Sequence, residues 1–324
     1  MPAIRGFALA MFLGLAAVCA ASAQTSSFRT RTITVVVPFA AGGSTDVMAR
    51  LLAEKVGAEL GQSVIIANKA GAGGIIGAVA VRQSAPNGNN IVVFATTHVI
   101  NPSVQEVPYD WEKDFTPIFG ILAAPQAFVV EANSSIHSMA DLADAAAKNP
   151  DGLTYASGGH NSLSQLTSVL FAQNAKANAV HVPYSGLAPA LQAIIAKDVD
   201  FGVINLLETI PFANARKARI LAVTTEERVA DLPNVPTVME AGFPGLISVS
   251  WNAYLVPAGT PRDVVEKLNA AFNKAARNPT VVDKAKRLAV LIDIKSLKDI
   301  HGFMYSEWAR WKKVINENGF NMQN

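Results

Sequence analysis

Apolar positions along this chain follow two different periods. Ile33–Val37 is a short unbroken apolar run, and Met48, Leu52, Val56 and Leu60 then recur every four residues. The first pattern predicts a buried strand and the second an amphipathic helix. Between them lies the small-residue stretch Pro38-Phe-Ala-Ala-Gly-Gly-Ser-Thr-Asp46. It reads as a tight loop, with Ser44 or Thr45 as the helix cap and Gly61 as its end. The alternation continues. Apolar runs at residues 64–66, 91–94, 154–156, 180–182, 199–204 and 220–223 read as strands. Leu163, Leu166 and Leu170, then Leu187, Leu191 and Ile194, mark helices. Ser138 and Asp141 have capping-box spacing, and Asn149-Pro150 ends that helix. The last third is helical: Thr260-Pro261 with Asp263, then Ser296 with Asp299, read as helix starts.

Strands alternating with helices define an α/β protein with parallel sheets. The length, 324 residues, favours two lobes over one. Two long extended stretches, residues 117–131 and 246–257, are the expected crossovers. Residues 24–124 and 232–324 then form one lobe, and residues 125–231 a second lobe inserted into it. Four of the loops follow strands and precede helices, so they are expected to face one cleft.

Composition narrows the class. Arg5 precedes an almost wholly apolar or small run from Gly6 to Ala21, and Ala21-Ser22-Ala23 offers a small-x-small cleavage site. Residues 1–23 are therefore expected to be a signal peptide. The remaining 301 residues contain no cysteine, which excludes disulfides, thiol catalysis and cysteine–zinc sites. With 26 basic and 25 acidic residues in that portion and no basic run, nucleic acid and membrane surfaces are not expected partners. Export, solubility and no cysteine together fit a periplasm.

Several separate stretches, in order, resemble the Bug family of extracytoplasmic solute receptors, the binding proteins of tripartite tricarboxylate transporters. They are Val37-Pro-Phe-Ala-Ala-Gly-Gly-Ser-Thr-Asp46, Asn68-Lys-Ala-Gly-Ala-Gly-Gly74, Asn101-Pro102, Tyr155-Ala-Ser157 and His181-Val-Pro-Tyr184. Leu221-Ala-Val-Thr224, Pro233-Asn-Val-Pro-Thr237 and Pro257-Ala-Gly-Thr-Pro261 follow. The resemblance implies a type II-like, two-lobed periplasmic-binding-protein fold. It also implies a small carboxylate ligand (a di- or tricarboxylate or an aromatic carboxylate) closed between the lobes. The expected partners are the large and small membrane subunits of a tripartite transporter; the receptor itself is expected to be a monomer without cofactor. Three stretches depart from the family's usual pattern. Ala40 stands for proline and Ser44 for glycine, Ile204-Asn205 replaces Asp-Asn, and Gly159-His-Asn-Ser162 replaces Gly-Asn-Gly-Thr.

The first loop is the foremost site candidate. Backbone amides at a helix start, in Ala40, Ala41, Gly42, Gly43, Ser44 and Thr45, can hold a carboxylate, with Phe39 walling its carbon skeleton. Asp46 is expected to serve the helix. Thr96, Thr97, His98 and Asn101 offer polar groups at a strand end. Ser157, His160, Asn161 and Ser162 do so from the other lobe, with His160 able to titrate near neutrality. Tyr184, Ser185, Asn205 and Trp251 are cleft residues by the resemblance, Trp251 being equally placed for the core. Ile204 in place of a carboxylate predicts a pocket that disfavours amino acids. The glycines between Gly71 and Gly77 look like a dinucleotide fingerprint, but the next strand ends in Ala95-Thr-Thr-His98 without the required acid. A lining or packing turn is expected there. No catalytic or metal motif is present, and the alternative function is an exported serine hydrolase using Ser157, His160 and Asp200. His137, His181 and His301 receive no role.

Overall fold

In a computed structural model the described residues are 31–287 and 290–317, so the expected signal peptide lies outside them. The strands are β1 (Ile33–Val37), β2 (Val64–Asn68), β3 (Asn90–Ala95), β4 (Phe115–Glu131), β5 (Leu153–Ser157), β6 (Ala179–Pro183), β7 (Phe201–Asn205), β8 (Ala218–Val223), β9 (Val249–Pro257) and β10 (Leu291–Ile292). The helices are α1 (Ser44–Leu60), α2 (Ile75–Arg82), α3 (Thr96–Ile100), α4 (Met139–Lys148), α5 (Leu163–Asn174), α6 (Leu187–Ala196), α7 (Leu206–Asn214), α8 (Arg262–Ala276), α9 (Pro279–Arg287) and α10 (Leu297–Glu317).

The strand order is β2-β1-β3-β9-β4-β7-β5-β6, with β8 and β10 also pairing β4. β1 runs parallel to β2 and β3, and β5 parallel to β6 and β7. The sheet is nevertheless mixed. β9 is antiparallel to both β3 and β4, and β4 is antiparallel to β7 and β8. The two extended stretches expected as crossovers are the long strands β4 and β9. β4 pairs with β9 over Phe115 to Pro125 and with β7 from Gln126 onward. One strand thus belongs to two half-sheets, changing neighbours at Pro125/Gln126.

Three apolar cores follow from this arrangement. Val35, Leu52, Val56, Phe119, Leu268 and Phe272 pack the α1/α8 side of the first half-sheet. Ala127, Val129, Leu191, Ile194 and Ile204 pack the α6 side of the second. A larger cluster, including Phe94, Phe115, Phe128, Tyr155, Phe171, Phe201 and Trp251, spans both. Beyond the expected boundary at residues 231/232 the chain keeps bonding to the end of β8. Val238 N–H donates to Val223 O at 2.9 Å, and Ser248 N–H to Thr224 O at 2.9 Å. Phe243 packs against Phe171 with ring centroids 5.8 Å apart. Residues 237–248 therefore stay with the second half-sheet until β9 begins.

Candidate functional site

The first loop is built by its own carboxylate. Asp46, at the third position of α1 and buried, accepts the Gly42 amide at 3.0 Å, Asn68 Nδ2 at 2.9 Å and Arg50 Nε at 3.0 Å. Burial pushes its pKa upward, but Arg50, the Gly42 amide and Asn68 outweigh that and hold it below the usual range. Gly42 takes φ +88°, the left-handed conformation that the loop's turn requires. The helix cap is Gly43, not Ser44 or Thr45. Ser44 instead donates its amide to Glu208 Oε1 at 2.7 Å, and its Oγ accepts from Asn205 Nδ2 at 2.6 Å. Gly61 closes the helix at φ +64° as expected.

A narrow cleft lined from both half-sheets opens beside this loop. Phe39, Ala40, Gly43, Ser44, Thr45 and Asp46 line it from the first half-sheet, with Ala95, Thr96, Thr97 and Ser250. Gln126, Gly158, Ser162, Leu163, Ser164, Gly186, Leu187, Ala188, Asn205 and Glu208 line it from the second. The first turns of α1, α5, α6 and α7 all contribute. The positive ends of four helices thus converge on one space, and each adds about 0.3–1 kcal/mol to a nearby anion. No lysine, arginine or histidine is among these lining residues. Ala40 N–H also reaches Ser185 O across the cleft at 3.3 Å.

Other expected site residues lie elsewhere. Ala41 and Gly42 are exposed and do not line the cleft, because the Asp46 bond turns the Gly42 amide back into the loop. Asn101 is buried, its Nδ2 3.5 Å from Gly73 O. Ser157 is buried with its Oγ 2.6 Å from His181 Nε2 and 3.0 Å from Gly159 O. Asn161 sits at φ +59° and donates its amide to Gln165 Oε1 at 2.6 Å. Trp251 is a core residue: its ring packs on Phe303, its Nε1 donates to Glu307 at 3.1 Å, and its backbone amide meets Thr96 Oγ1. His160 is exposed and, with Tyr184, Ser185 and the Gly71–Gly74 turn, lines a second crevice. Ile204 points into the α6 core. The carboxylate expected to be missing from the pocket is supplied instead by Glu208, one helical turn later.

The glycine-rich turn packs as expected. Gly73 and Gly74 take φ +61° and +97°, and a Cβ on Gly74 would lie 2.6 Å from His98 Nε2. His98 is fully buried and stacked on Phe94 at 4.6 Å. Ala95 N–H donates to its Nδ1 at 2.9 Å, so the proton sits on Nε2, 3.3 Å from Gly74 O. Burial drives its pKa down to about 4. Neutral His98 therefore stabilises the fold above pH 6.5, and that contribution is lost as pH falls toward 4. A His98→Ala variant is expected to unfold more easily than the parent at pH 7.5, with the gap narrowing by about 2–3 kcal/mol by pH 4.5. Urea titrations at the two pH values read it directly.

The imagined triad is not assembled. Ser157 meets His181, not His160, and Asp200 binds the Thr154 amide and hydroxyl at 2.7 and 2.8 Å. The other nitrogen of His181 meets the Gln165 amide at 3.0 Å rather than a carboxylate. Burial, with His160 beside it, lowers the His181 pKa to about 4, which makes it a weak base near neutrality. Among the described residues no group of three or more metal-ligating side chains occurs, and no helix is long and apolar enough to cross a membrane.

Glu208, Gln126, Ser164 and Ser250 are polar lining residues that the sequence reading missed. Gln126 left a legible trace, as the lone amide in the otherwise apolar second half of β4. Glu208 left none, since an acid in a helix's first turn ordinarily serves the helix.

Comparison with known proteins agrees with this geometry. The chain is 37% identical over 293 residues to the UPF0065 protein in the tcbD-tcbE intergenic region of Pseudomonas sp. (strain P51), covering 90% of this chain and 87% of the relative. It is 28% identical to the protein BugT of Bordetella pertussis, over 96% of both chains. Among solved structures it matches MatC from Rhodopseudomonas palustris with bound malate. The TM-score is 0.84 at 31% identity, over 88% of this chain and 99% of that one. An R. palustris protein with adipate gives a TM-score of 0.85 at 33% identity, over 89% and 97%. The solved periplasmic binding protein BugD matches with a TM-score of 0.85 at 29% identity, over 89% of this chain and 98% of that one, and the fold is the two-lobed one of periplasmic binding proteins. The model of the tripartite tricarboxylate transporter family receptor matches residues 48–320, and the chain belongs to that family of periplasmic solute-binding proteins.

Proposed function

We propose that this protein is a periplasmic receptor that closes on a small organic carboxylate and presents it to a membrane permease of one large and one small subunit. The single observation that carries the reading is the convergence of four helix N-termini on one cleft lined by no basic side chain. Such a site stabilises a carboxylate through amides and hydroxyls and supplies no nucleophile with an effective base. The malate and adipate held by relatives of the same fold support a carboxylate as the ligand class. Residues 31–124 and 249–317 would form one lobe and residues 125–248 the other, hinged at the two long strands.

Purified protein incubated with a panel of mono-, di- and tricarboxylates is expected to gain melting temperature with at least one of them. Mass spectrometry is expected to recover that compound unchanged. Turnover of the compound, with loss of turnover in Ser157→Ala, would establish the hydrolase reading instead.

A further inference from the structure

Glu208 stands in the cleft at the place where a ligand's anion would otherwise be expected. It is only 8% exposed. Its Oε1 accepts the Ser44 amide, and its Oε2 has no hydrogen-bond partner. Two further buried oxygens that lack a partner belong to residues lining the same cleft: Gln126 Oε1 and Asn205 Oδ1. Gln126 and Asn205 are directly opposed on β4 and β7, which places their side chains on one face of the sheet. Asn205 caps α7 and Glu208 lies in that helix's first turn. Three acceptors therefore gather at one end of the cleft, one of them a carboxylate oxygen in any amide orientation.

No basic side chain balances them. Asp46, the other ionisable group lining the cleft, is already paired with Arg50. The hydroxyls of Ser162 and Ser164 at the start of α5 also line the cleft; they bond each other at 2.9 Å and accept the amides of Gln165 and Gly158, which leaves one hydroxyl proton to donate to an anion. A buried polar group without a partner is costly, so buried, unpartnered acceptors on residues that line a binding cleft mark where a ligand donates.

Resting on the carboxylate reading above, we propose that the ligand is zwitterionic. Its carboxylate faces the helix starts, and its protonated amine sits against Glu208 Oε2, Asn205 Oδ1 and Gln126 Oε1. Glu208 is then the residue that selects amino-bearing carboxylates over plain ones, the reverse of what Ile204 suggested. Burial raises the Glu208 pKa to about 7, and a bound ammonium would pull it down again. Binding then releases a proton, and affinity weakens as pH drops below about 7.

The test uses matched pairs that differ by the amine: glutarate against glutamate, and butanoate against 4-aminobutanoate. Titration calorimetry at pH 8 is expected to favour the amine-bearing member of at least one pair by tenfold or more. In buffers of differing ionisation heat at pH 7 it is expected to show proton release. Glu208→Gln keeps an acceptor for the Ser44 amide, so it is expected to fold and still bind carboxylate while losing the preference and the proton release. Tighter binding of the amine-free member, strengthening as pH falls and unaffected in Glu208→Gln, would overturn the selection while leaving the carboxylate reading intact. Failure of every carboxylate in the thermal panel to bind would overturn both.

Discussion

Replacing Asp46 by alanine is expected to cost about 3 kcal/mol of stability and most of the carboxylate affinity. The buried carboxylate joins four points: the Gly42 amide, Asn68 at the end of β2, Arg50 one turn along α1, and its own position at the helix start. Removing it deletes an acid at a helix N-terminus, worth up to about 2 kcal/mol when partly buried. It also removes charge-assisted hydrogen bonds of about 1.5–3 kcal/mol each, offset by rehydration of the exposed Arg50. Asp46→Asn retains two acceptors' worth of geometry on one oxygen and is expected to lose about half as much. Urea unfolding gives the first quantity and calorimetric titration the second. A stable Asp46→Ala protein with undiminished affinity would show that the loop holds its shape without this residue.

The second large effect concerns Glu208 and runs with pH. Its ordinary pKa of 4.5 rises to about 7 in the fold because burial penalises the charged form. Between those values the folded chain holds a proton that the unfolded chain has given up. Stability attributable to this group is therefore full below pH 4.5 and declines as pH rises to about 7. The whole span is worth on the order of 3 kcal/mol. Glu208→Gln carries no ionisable group, so in ligand-free protein it is expected to be more stable than the parent at pH 8. At pH 5 the two are expected to be nearly level. His98 and His181 both act in the opposite direction over an overlapping window, so the parent alone is expected to lose stability as pH falls from 6.5 toward 4, with the Glu208 slope hidden beneath theirs. The single variants separate them. A Glu208→Gln protein with the same advantage at both pH values would mean that Glu208 is ionised throughout.

The folded architecture was legible wherever a local period fixed it. The unbroken run in β1 marks a strand buried on both faces, the four-residue spacing in α1 marks that helix's buried side, and Gly61 supplies the left-handed cap. Strand direction was not legible. Nothing in the composition of β9 distinguishes a parallel strand from one that returns antiparallel between β3 and β4. The site divided the same way. Gly43 to Thr45, Ser162 and Asn205 could be placed because each precedes or opens a helix after a strand, a position that short-range pattern reveals. The Ser44–Glu208 bond could not, since its partners lie 164 residues apart and neither has an unusual local setting. Likewise Ser157 finds His181 through the pairing of β5 with β6, while the nearer His160 in sequence turns outward. Ile204 illustrates the cost of reading a strand position without its face. The alternation of side chains along β7 sends it to the core and leaves Asn205 in the cleft.

In the proposed complex, helix-start amides and hydroxyls, unaided by any basic side chain, hold a ligand carboxylate between the two half-sheets. A crystal structure of the complex with the tightest-binding carboxylate of the panel tests this directly. A carboxylate group is expected within hydrogen-bond reach, direct or through one water, of the amides of Gly43 and Thr45 or the hydroxyls of Ser162 and Ser164, the Ser44 amide being held by Glu208. A ligand seated in the outer crevice beside His160 and Tyr184, or held by a lysine or arginine elsewhere on the surface, would contradict it.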